Sequence, residues 1–245
     1  MRPCRALFLS DVHLGRAGAR PGDLAAFLLS VDPRVIYVVG DLFDRLRPGD
    51  RPELSEADRA VLDVLRACAR RGVGIVYVPG NHDSRLRQRL GRRAWLPDAE
   101  VVLEAIHVTA DGRRFLVVHG DGHEPAGVRG NPLLRPVLKL HSGLEWVSRM
   151  VSRVPGMKGR SLARMGKDLV LYRVGPGRAF RDALAREARG RGLDGAIAGH
   201  IHHPGFEAVD GVLVANCGDW LSSCTALIEL EIGRASCRER VYTKV

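Results

Sequence analysis

Gly74-Ile75-Val76-Tyr77-Val78-Pro79-Gly80-Asn81-His82-Asp83 decides how the rest of the chain is read. Its apolar half is short and β-branched and reads as a buried strand, stopped by Pro79 and Gly80. An amide oxygen, an imidazole and a carboxylate then follow at one strand end. Asn and Asp favour turns for purely local reasons, so Asn-His-Asp by itself carries no function. Four other strand ends in the chain finish in Asp or His in the same manner, and that repetition is the signal.

Upstream, Arg5-Ala6-Leu7-Phe8-Leu9-Ser10 delivers Asp11-Val12-His13, and Val35-Ile36-Tyr37-Val38-Val39 delivers Gly40-Asp41-Leu42-Phe43-Asp44. Asp23 is placed to cap a short helix ending near Ser30, and residues 45–53 read as a surface loop. Ser55 and Asp58 form a capping-box signature for a helix with Ala57, Val61, Leu65, Cys68 and Ala69 on one face, stopped by Gly72. Strands alternating with helices at these lengths predict βαβ units and parallel pairing.

Downstream the rhythm changes. Val101-Val102-Leu103, Ile106-His107-Val108 and Arg114-Phe115-Leu116-Val117-Val118 around Asp111-Gly112 predict a hairpin that ends in His119-Gly120-Asp121. His107 lies in an alternating strand and reads as structural. Gly195-Ala196-Ile197-Ala198 predicts a strand closing in Gly199-His200-Ile201-His202-His203. Residues 206–209 and 212–215 flank Asp210-Gly211 as a second hairpin, and residues 225–231 make a last strand. Parallel units followed by hairpins predict a mixed two-sheet α/β sandwich with helices outside.

A length of 245 residues with 45% hydrophobic content suits one globular domain with a full core. Residues 233–245 match no pattern upstream, and 233–241 resemble a translated sequencing adapter joined to a truncated frame. They are excluded from fold reasoning, with the native C-terminus expected to be missing and the domain to span 1–232. Without them the net charge drops from +10 to +7, still basic and suited to anionic partners. Cys4, Cys68, Cys217 and Cys224 have no C-x-x-C spacing, which points to a reducing cytosol rather than a disulfide framework. No apolar run reaches the ~18 residues of a spanning helix, and no signal-peptide pattern is present. Aromatics at 5% and the lack of any matching motif argue against nucleic acid. No protein partner is evident.

Residues 123–180 differ in character. Leu133, Val137, Leu140, Leu144, Val147, Val151 and Val154 recur at alternating spacings of four and three, a helical stripe. Residues 129–167 hold nine Lys/Arg and one acid, Glu145. This is a basic, helical insertion, either packed on its own domain or acting as a lid that docks an anionic amphiphile.

The strand-end donors are Asp11, His13, Asp41, Asn81, His119, His200 and His202. Asp11 and His13 are two apart, as are His200 and His202, so an extended backbone places each pair on one side. The carboxyl ends of neighbouring strands converge on one crevice. Seven oxygen and nitrogen donors exceed one tetrahedral zinc and suit two metals sharing a carboxylate. Mixed ligation favours Mn, with Fe, Zn or Co as alternatives, over Mg or Ca. Two divalent ions ~4 Å apart acidify a bound water and clamp phosphoryl oxygens. His82 is placed to donate to a phosphoryl or leaving-group oxygen, with Asp83 beside it to hold its tautomer.

Asp-x-His, Gly-Asp-x-x-Asp, Gly-Asn-His-Asp, His-Gly-Asp and Gly-His-x-His, in this order from Asp11 to His202, resemble the motifs of the calcineurin-like metallophosphoesterases. The resemblance implies a four-layer α/β/β/α sandwich of two mixed sheets. It implies one metal on Asp11, His13, Asp41 and His202 and a second on Asp41, Asn81, His119 and His200, with Asp44 behind them orienting a ligand. The insertion after His-Gly-Asp, and the ending Asn216-Cys217-Gly218-Asp219-Trp220, are similar to the UDP-2,3-diacylglucosamine pyrophosphatase group. That likeness implies cleavage of a UDP-linked diacyl sugar to UMP and diacylglucosamine 1-phosphate by metal-activated water, at the inner surface of the membrane. Arg85, His123, Lys167 and His203 are then candidate substrate contacts. His82 stands where the well-studied branch carries Arg, which keeps a general phosphoesterase as the alternative. A non-catalytic metal-binding scaffold is the third reading, disfavoured because all ligands and His82 are present.

Overall fold

β1 (Arg2–Leu9) opens a six-stranded sheet in the order β11-β10-β1-β2-β3-β4, with β2 (Val31–Val39), β3 (Gly74–Val78), β4 (Ala99–Val101), β10 (Thr225–Glu229) and β11 (Arg240–Thr243). β1 to β4 run parallel, while β10 and β11 are antiparallel additions on the other side. The second sheet has the order β5-β6-β7-β9-β8, from β5 (Ala105–Val108), β6 (Arg114–Val117), β7 (Gly195–Ala198), β8 (Gly205–Val209) and β9 (Val212–Asn216). β7 is parallel to both its neighbours, and the two outer pairs are antiparallel. The protein is thus an α/β fold of two mixed sheets with helices. This computed structural model describes residues 1–44, 53–89, 99–124, 176–230 and 240–243.

The chain divides into two compact units, residues 1–121 with 184–245, and residues 122–183. The basic insertion expected at 123–180, Lys167 included, falls almost wholly outside the described residues. β11 comes from the stretch set aside as foreign, and it pairs with β10 through backbone groups that any sequence offers to an open sheet edge.

α1 (Pro21–Ser30) and α2 (Glu56–Arg70) bury Leu24, Leu28, Val61 and Leu65 against Leu7, Leu9, Ile36, Val38, Ile75 and Tyr77 of the first sheet. The opposite face of that sheet, with Phe8, Tyr37, Val39 and Val78, packs on Phe115, Val117, Ile197 and Ala215 of the second. α3 (Pro176–Gly190) carries buried Leu184, Ala185 and Ala188. α2 starts as expected: the Ser55 hydroxyl accepts the Asp58 N–H at 3.2 Å, and Asp58 accepts the Ser55 N–H at 2.9 Å. α1 does not. Its N-cap is Arg20 with no side-chain cap, Pro21 opens the helix, and Asp23 lies in the first turn, where a carboxylate suits the positive helix end.

Two further readings need correction. β2 begins at Val31, four residues before the apolar run Val35–Val39 from which it was expected, and includes Pro33, which can donate no backbone hydrogen bond. Val101 belongs to β4 in the first sheet rather than to the hairpin, which starts only at Ala105. The β8–β9 hairpin turns at Asp210 (φ 47°) and Gly211 (φ 83°), the pair of positive angles that a two-residue turn of matching twist requires. His107 is buried between the sheets: Nδ1 is 3.2 Å from the Tyr37 hydroxyl and Nε2 is 2.7 Å from Glu229 Oε2. It therefore links β5 to β2 and β10.

Candidate metal centre

Five strands, β1, β2 and β3 of one sheet and β6 and β7 of the other, end at the same crevice, and the donors lie just past those ends. Asp11, His13, Asp41 and His119 form its floor, each at most 2% exposed. Asn81 is exposed, and His82, His200 and His202 are partly so.

Asp11, His13, Asp41, His200 and His202 all adopt positive φ between 52° and 70°. The extended backbone expected at Asp-x-His and His-x-His is therefore not what orients these donors; each of them stands in a left-handed conformation. Side chains in that region cost about 1–3 kcal/mol each and persist where surroundings over-determine them. Here the Asp11 N–H donates to Gly40 O at 3.1 Å, its carbonyl accepts the Trp220 N–H at 3.1 Å, and the His13 N–H donates to Asp41 O at 2.9 Å.

Glycines let the donors approach. A Cβ on Gly80 would lie 2.1 Å from Asp41 Oδ1, one on Gly40 2.1 Å from His119 Nδ1, and one on Gly199 2.5 Å from Asp11 Oδ2. Asp11 Oδ2 accepts the His200 N–H at 2.8 Å, and its Oδ1 is 3.1 Å from His202 Nε2. Asp41 Oδ1 accepts the His82 N–H at 2.8 Å, and its Oδ2 is 3.5 Å from His119 Nε2. Asn81 Oδ1 lies 3.2 Å from His119 Nε2 and 3.1 Å from His200 Nδ1.

Asp11 Oδ1 and both ring nitrogens of His13 are buried without a hydrogen bond. His13 Nε2 stands 3.9 Å from Asp11 Oδ1 and 4.0 Å from Asp41 Oδ2, too far for hydrogen bonds yet converging on one point. Buried polar atoms left unpaired are expensive, and lone pairs aimed at a common gap fit a cation. Burial pushes His13 down to about 4, against the pull of Asp11 and Asp41, so its imidazole is neutral and can donate a lone pair. Ligand atoms within 4.8 Å of one another form the groups Asp11–His13–His202, His13–Asp41–His82 and Asp11–Asp41–His119.

Charge follows the same geometry. Burial alone would raise the Asp11 carboxyl, but His202, His119 and the Ser10 hydroxyl outweigh it and hold it well below the usual carboxylate range. Asp41 is likewise lowered, burial being overcome by His119. His119 is pushed up to about 10: burial opposes the proton, while Asp41, Asp11 and the Val39 carbonyl favour it. Its Nδ1 donates to Val39 O at 2.9 Å, which turns Nε2 into the crevice.

Asp83 departs from the role read in the sequence. It is fully buried and faces away from the His82 ring; its carboxylate accepts the Leu42 N–H at 2.9 Å, the Gly80 N–H at 2.5 Å and the Tyr77 hydroxyl. The carboxylate at His82 is Asp44, whose Oδ1 is 2.9 Å from His82 Nδ1 and 3.3 Å from His13 Nδ1. The rings of His13 and His82 meet edge to face at 4.7 Å. Arg85 is exposed and His203 partly so. His123 belongs to the other compact unit.

Sequence reasoning gave no role to three supports. Asn216 Nδ2 donates to Gly199 O at 2.6 Å, fixing the approach to His200. Arg87 donates to Asp121 at 2.7 Å and to Pro79 O at 3.1 Å, tying the Asn81 loop to the end of β6. Tyr77 reads as a core aromatic, and nothing in a strand pattern reveals its hydroxyl's partner.

The calcineurin-like phosphoesterase family model matches residues 4–204, which contain every strand-end motif, and the chain belongs to that family. It is a phosphoesterase, a hydrolase of a metal-dependent family. A UDP-2,3-diacylglucosamine hydrolase of Neisseria meningitidis serogroup B is 27% identical over 94% of this chain and 95% of its own length. One of Aeromonas salmonicida is 28% identical over 91% and 88%. Among solved structures, Yfce, a phosphoesterase from E. coli, aligns with a TM-score of 0.45 at 15% identity, covering 91% of this chain and 86% of that one.

Proposed function

We propose that the chain hydrolyses the diphosphate of UDP-2,3-diacylglucosamine to UMP and diacylglucosamine 1-phosphate. Two divalent cations, Mn²⁺ first among the candidates, would be held by Asp11, His13, Asp41 and His202 and by Asp41, Asn81, His119 and His200. The convergence of unpaired buried lone pairs from Asp11 and His13 supports the cation site. The near full-length match to relatives named for this substrate supports the choice of phosphoester. When bound, such ions supply an acidified water and positive charge for the phosphoryl oxygens.

The chain's own residues do the rest. Asp11 and Asp41 are ionised at neutral pH, and His13 is neutral, so three floor groups are ready as ligands without giving up a proton. The His82 N–H fixes the Asp41 carboxylate, and its ring, with Nδ1 2.9 Å from Asp44 Oδ1, would use Nε2 to pass a proton to the leaving oxygen. The basic stretch 129–167 suits a substrate with a diphosphate and two acyl chains. No helix among the described residues is long and apolar enough to cross a membrane; the contact proposed with the inner membrane is a peripheral one.

UMP release from UDP-2,3-diacylglucosamine with Mn²⁺, beside hydrolysis of bis-p-nitrophenyl phosphate, tests the reading. Rapid UMP formation with slow cleavage of the small diester is expected. Activity on the small diester alone would discard the lipid substrate and leave the second reading, a general phosphoesterase, which His82 in place of Arg favours.

A further inference from the structure

The Asn81 and Asp41 loops follow different strands, yet the shared carboxylate works only if their relative position is held to a fraction of an ångström. Two ties are direct: Gly80 leaves no space between the loops, and the His82 N–H binds Asp41 Oδ1. A third runs through the core. The single peptide unit joining Asp41 to Leu42 is held at both ends: its carbonyl accepts the His13 N–H at 2.9 Å, and its N–H donates to Asp83 Oδ2 at 2.9 Å. Holding that peptide plane helps set the backbone of Asp41, which stands at φ 53°, a region an Asp tolerates but does not prefer. Asp83 in turn is held by the Gly80 N–H and by the hydroxyl of Tyr77.

Tyr77 is 1% exposed and packs among the apolar side chains between the first sheet and its helices. Phe would fill that volume equally well, and a hydroxyl buried there is a cost unless it has a partner. Its partner is Asp83, and through Asp83 the partner's partner is the peptide of the central carboxylate.

We propose that Tyr77 and Asp83 are positioning residues of the metal centre, a rigid strut from the core of β3 that aims the Asp41 carboxylate. Neither touches substrate. The inference rests on the two-cation reading above and adds to it the reason a buried carboxylate and a buried phenol occupy these positions.

Equilibrium dialysis of the full chain against Mn²⁺, with elemental analysis, is the measurement, alongside thermal unfolding in EDTA. Wild type is expected to bind two ions. Asp83→Asn keeps the side-chain shape and should weaken binding at both sites at least about tenfold, the usual size of an outer-partner effect. Tyr77→Phe keeps the ring and should weaken it severalfold. Unchanged affinity in both variants overturns the inference, whatever their stability in EDTA, because a mere packing role moves stability alone. If Asp83→Asn does not fold, Tyr77→Phe decides by the same criterion. Wild type binding no Mn²⁺ would overturn the cation reading and this one together, whereas wild type binding two with unaffected variants sinks only this one.

Discussion

Gly80→Ala adds one methyl group at the point where the two most important loops touch. The backbone of Gly80 is not in the left-handed region, so conformational strain is not the issue; space is. The new Cβ would stand 2.1 Å from Asp41 Oδ1, 2.8 Å from the Asp41 nitrogen and 2.8 Å from His119 Cδ2. To reach even a tight 3.0 Å contact, the carboxylate oxygen must retreat by about 1 Å. It cannot do so freely, because Oδ1 also accepts the His82 N–H at 2.8 Å and the residue's backbone is tied on both sides. Overpacking of this kind costs about 1–3 kcal/mol, or roughly 2–4 °C of melting temperature per kcal/mol for a chain of this size. A displacement of about 1 Å at a reacting centre costs about 100-fold in rate. Bis-p-nitrophenyl phosphate hydrolysis at saturating Mn²⁺, normalised to folded protein by circular dichroism, reads both effects. Gly190→Ala is the control, since a Cβ there meets nothing within 4 Å. A Gly80→Ala enzyme within about threefold of wild type and equally stable would refute the claim that Asp41 is held by close approach of the Asn81 loop.

His82→Ala should lower turnover by about 10²–10⁴-fold while both Mn²⁺ ions stay bound; metal loss measured in that variant would make His82 a ligand, which the His13–Asp41–His82 group allows. In EDTA, His119, pushed up to about 10, adds stability that is fully present below its ordinary range near 6.5 and is lost as pH rises through about 10. His202, also raised, acts in the same direction, so the metal-free chain should melt lower at pH 10 than at pH 7. Mn²⁺ binding should show the opposite slope, releasing at least one proton near pH 7.5 from His119 while neutral His13 releases none. Calorimetry in buffers of different ionisation enthalpy counts that proton, and zero release would exclude His119 as a ligand. His107→Leu should cost about 1–3 kcal/mol in urea denaturation by leaving the buried Tyr37 hydroxyl without His107 and taking one partner from Glu229, which keeps Ala110 and Arg5, with activity per folded molecule unchanged; a neutral effect would show that the link between the sheets contributes nothing.

Much of the fold was readable because burial on both faces writes itself as short continuous apolar runs. Val35 to Val39, Gly74 to Val78 and Gly195 to Ala198 are such runs, and each lies inside an observed strand. The misreadings share a cause. Val101 is apolar and close to Ile106, and local pattern assigned it to the nearer hairpin, whereas pairing with Tyr77 across the sheet is a tertiary choice. Asp23 has the chemistry of a cap, yet Pro21 had already set the start of the helix. Site residues were legible by type and order, since five strand ends carried donors. Their supports were not: Tyr77, Asn216 and Arg87 look like a core aromatic, a turn amide and a surface cation until their partners are seen.

Asp83 shows most clearly why the donors could be found while their arrangement could not. Adjacent to His82 in sequence, it has the right chemistry to orient an imidazole, and in an extended segment neighbours would face opposite sides in any case. The loop instead sends Asp83 inward to the Leu42 and Gly80 amides and the Tyr77 phenol, and leaves His82 to Asp44 from another strand end. The same logic governs Asp11, His13, Asp41, His200 and His202. Alternation along a strand predicted that each pair would share a side; instead each residue stands in left-handed backbone that alternation cannot describe, with His200 Nδ1 beside Asn81 and His202 Nε2 beside Asp11. Asp and His are among the side chains that tolerate this region best, which gives one physical reason for those residue types beyond their lone pairs. A left-handed residue just past a strand end turns its side chain into the crevice rather than along the sheet face. The hydrogen bonds from neighbouring loops then hold it there. The centre is therefore built by loops that brace one another, so a single lost brace should loosen several donors together.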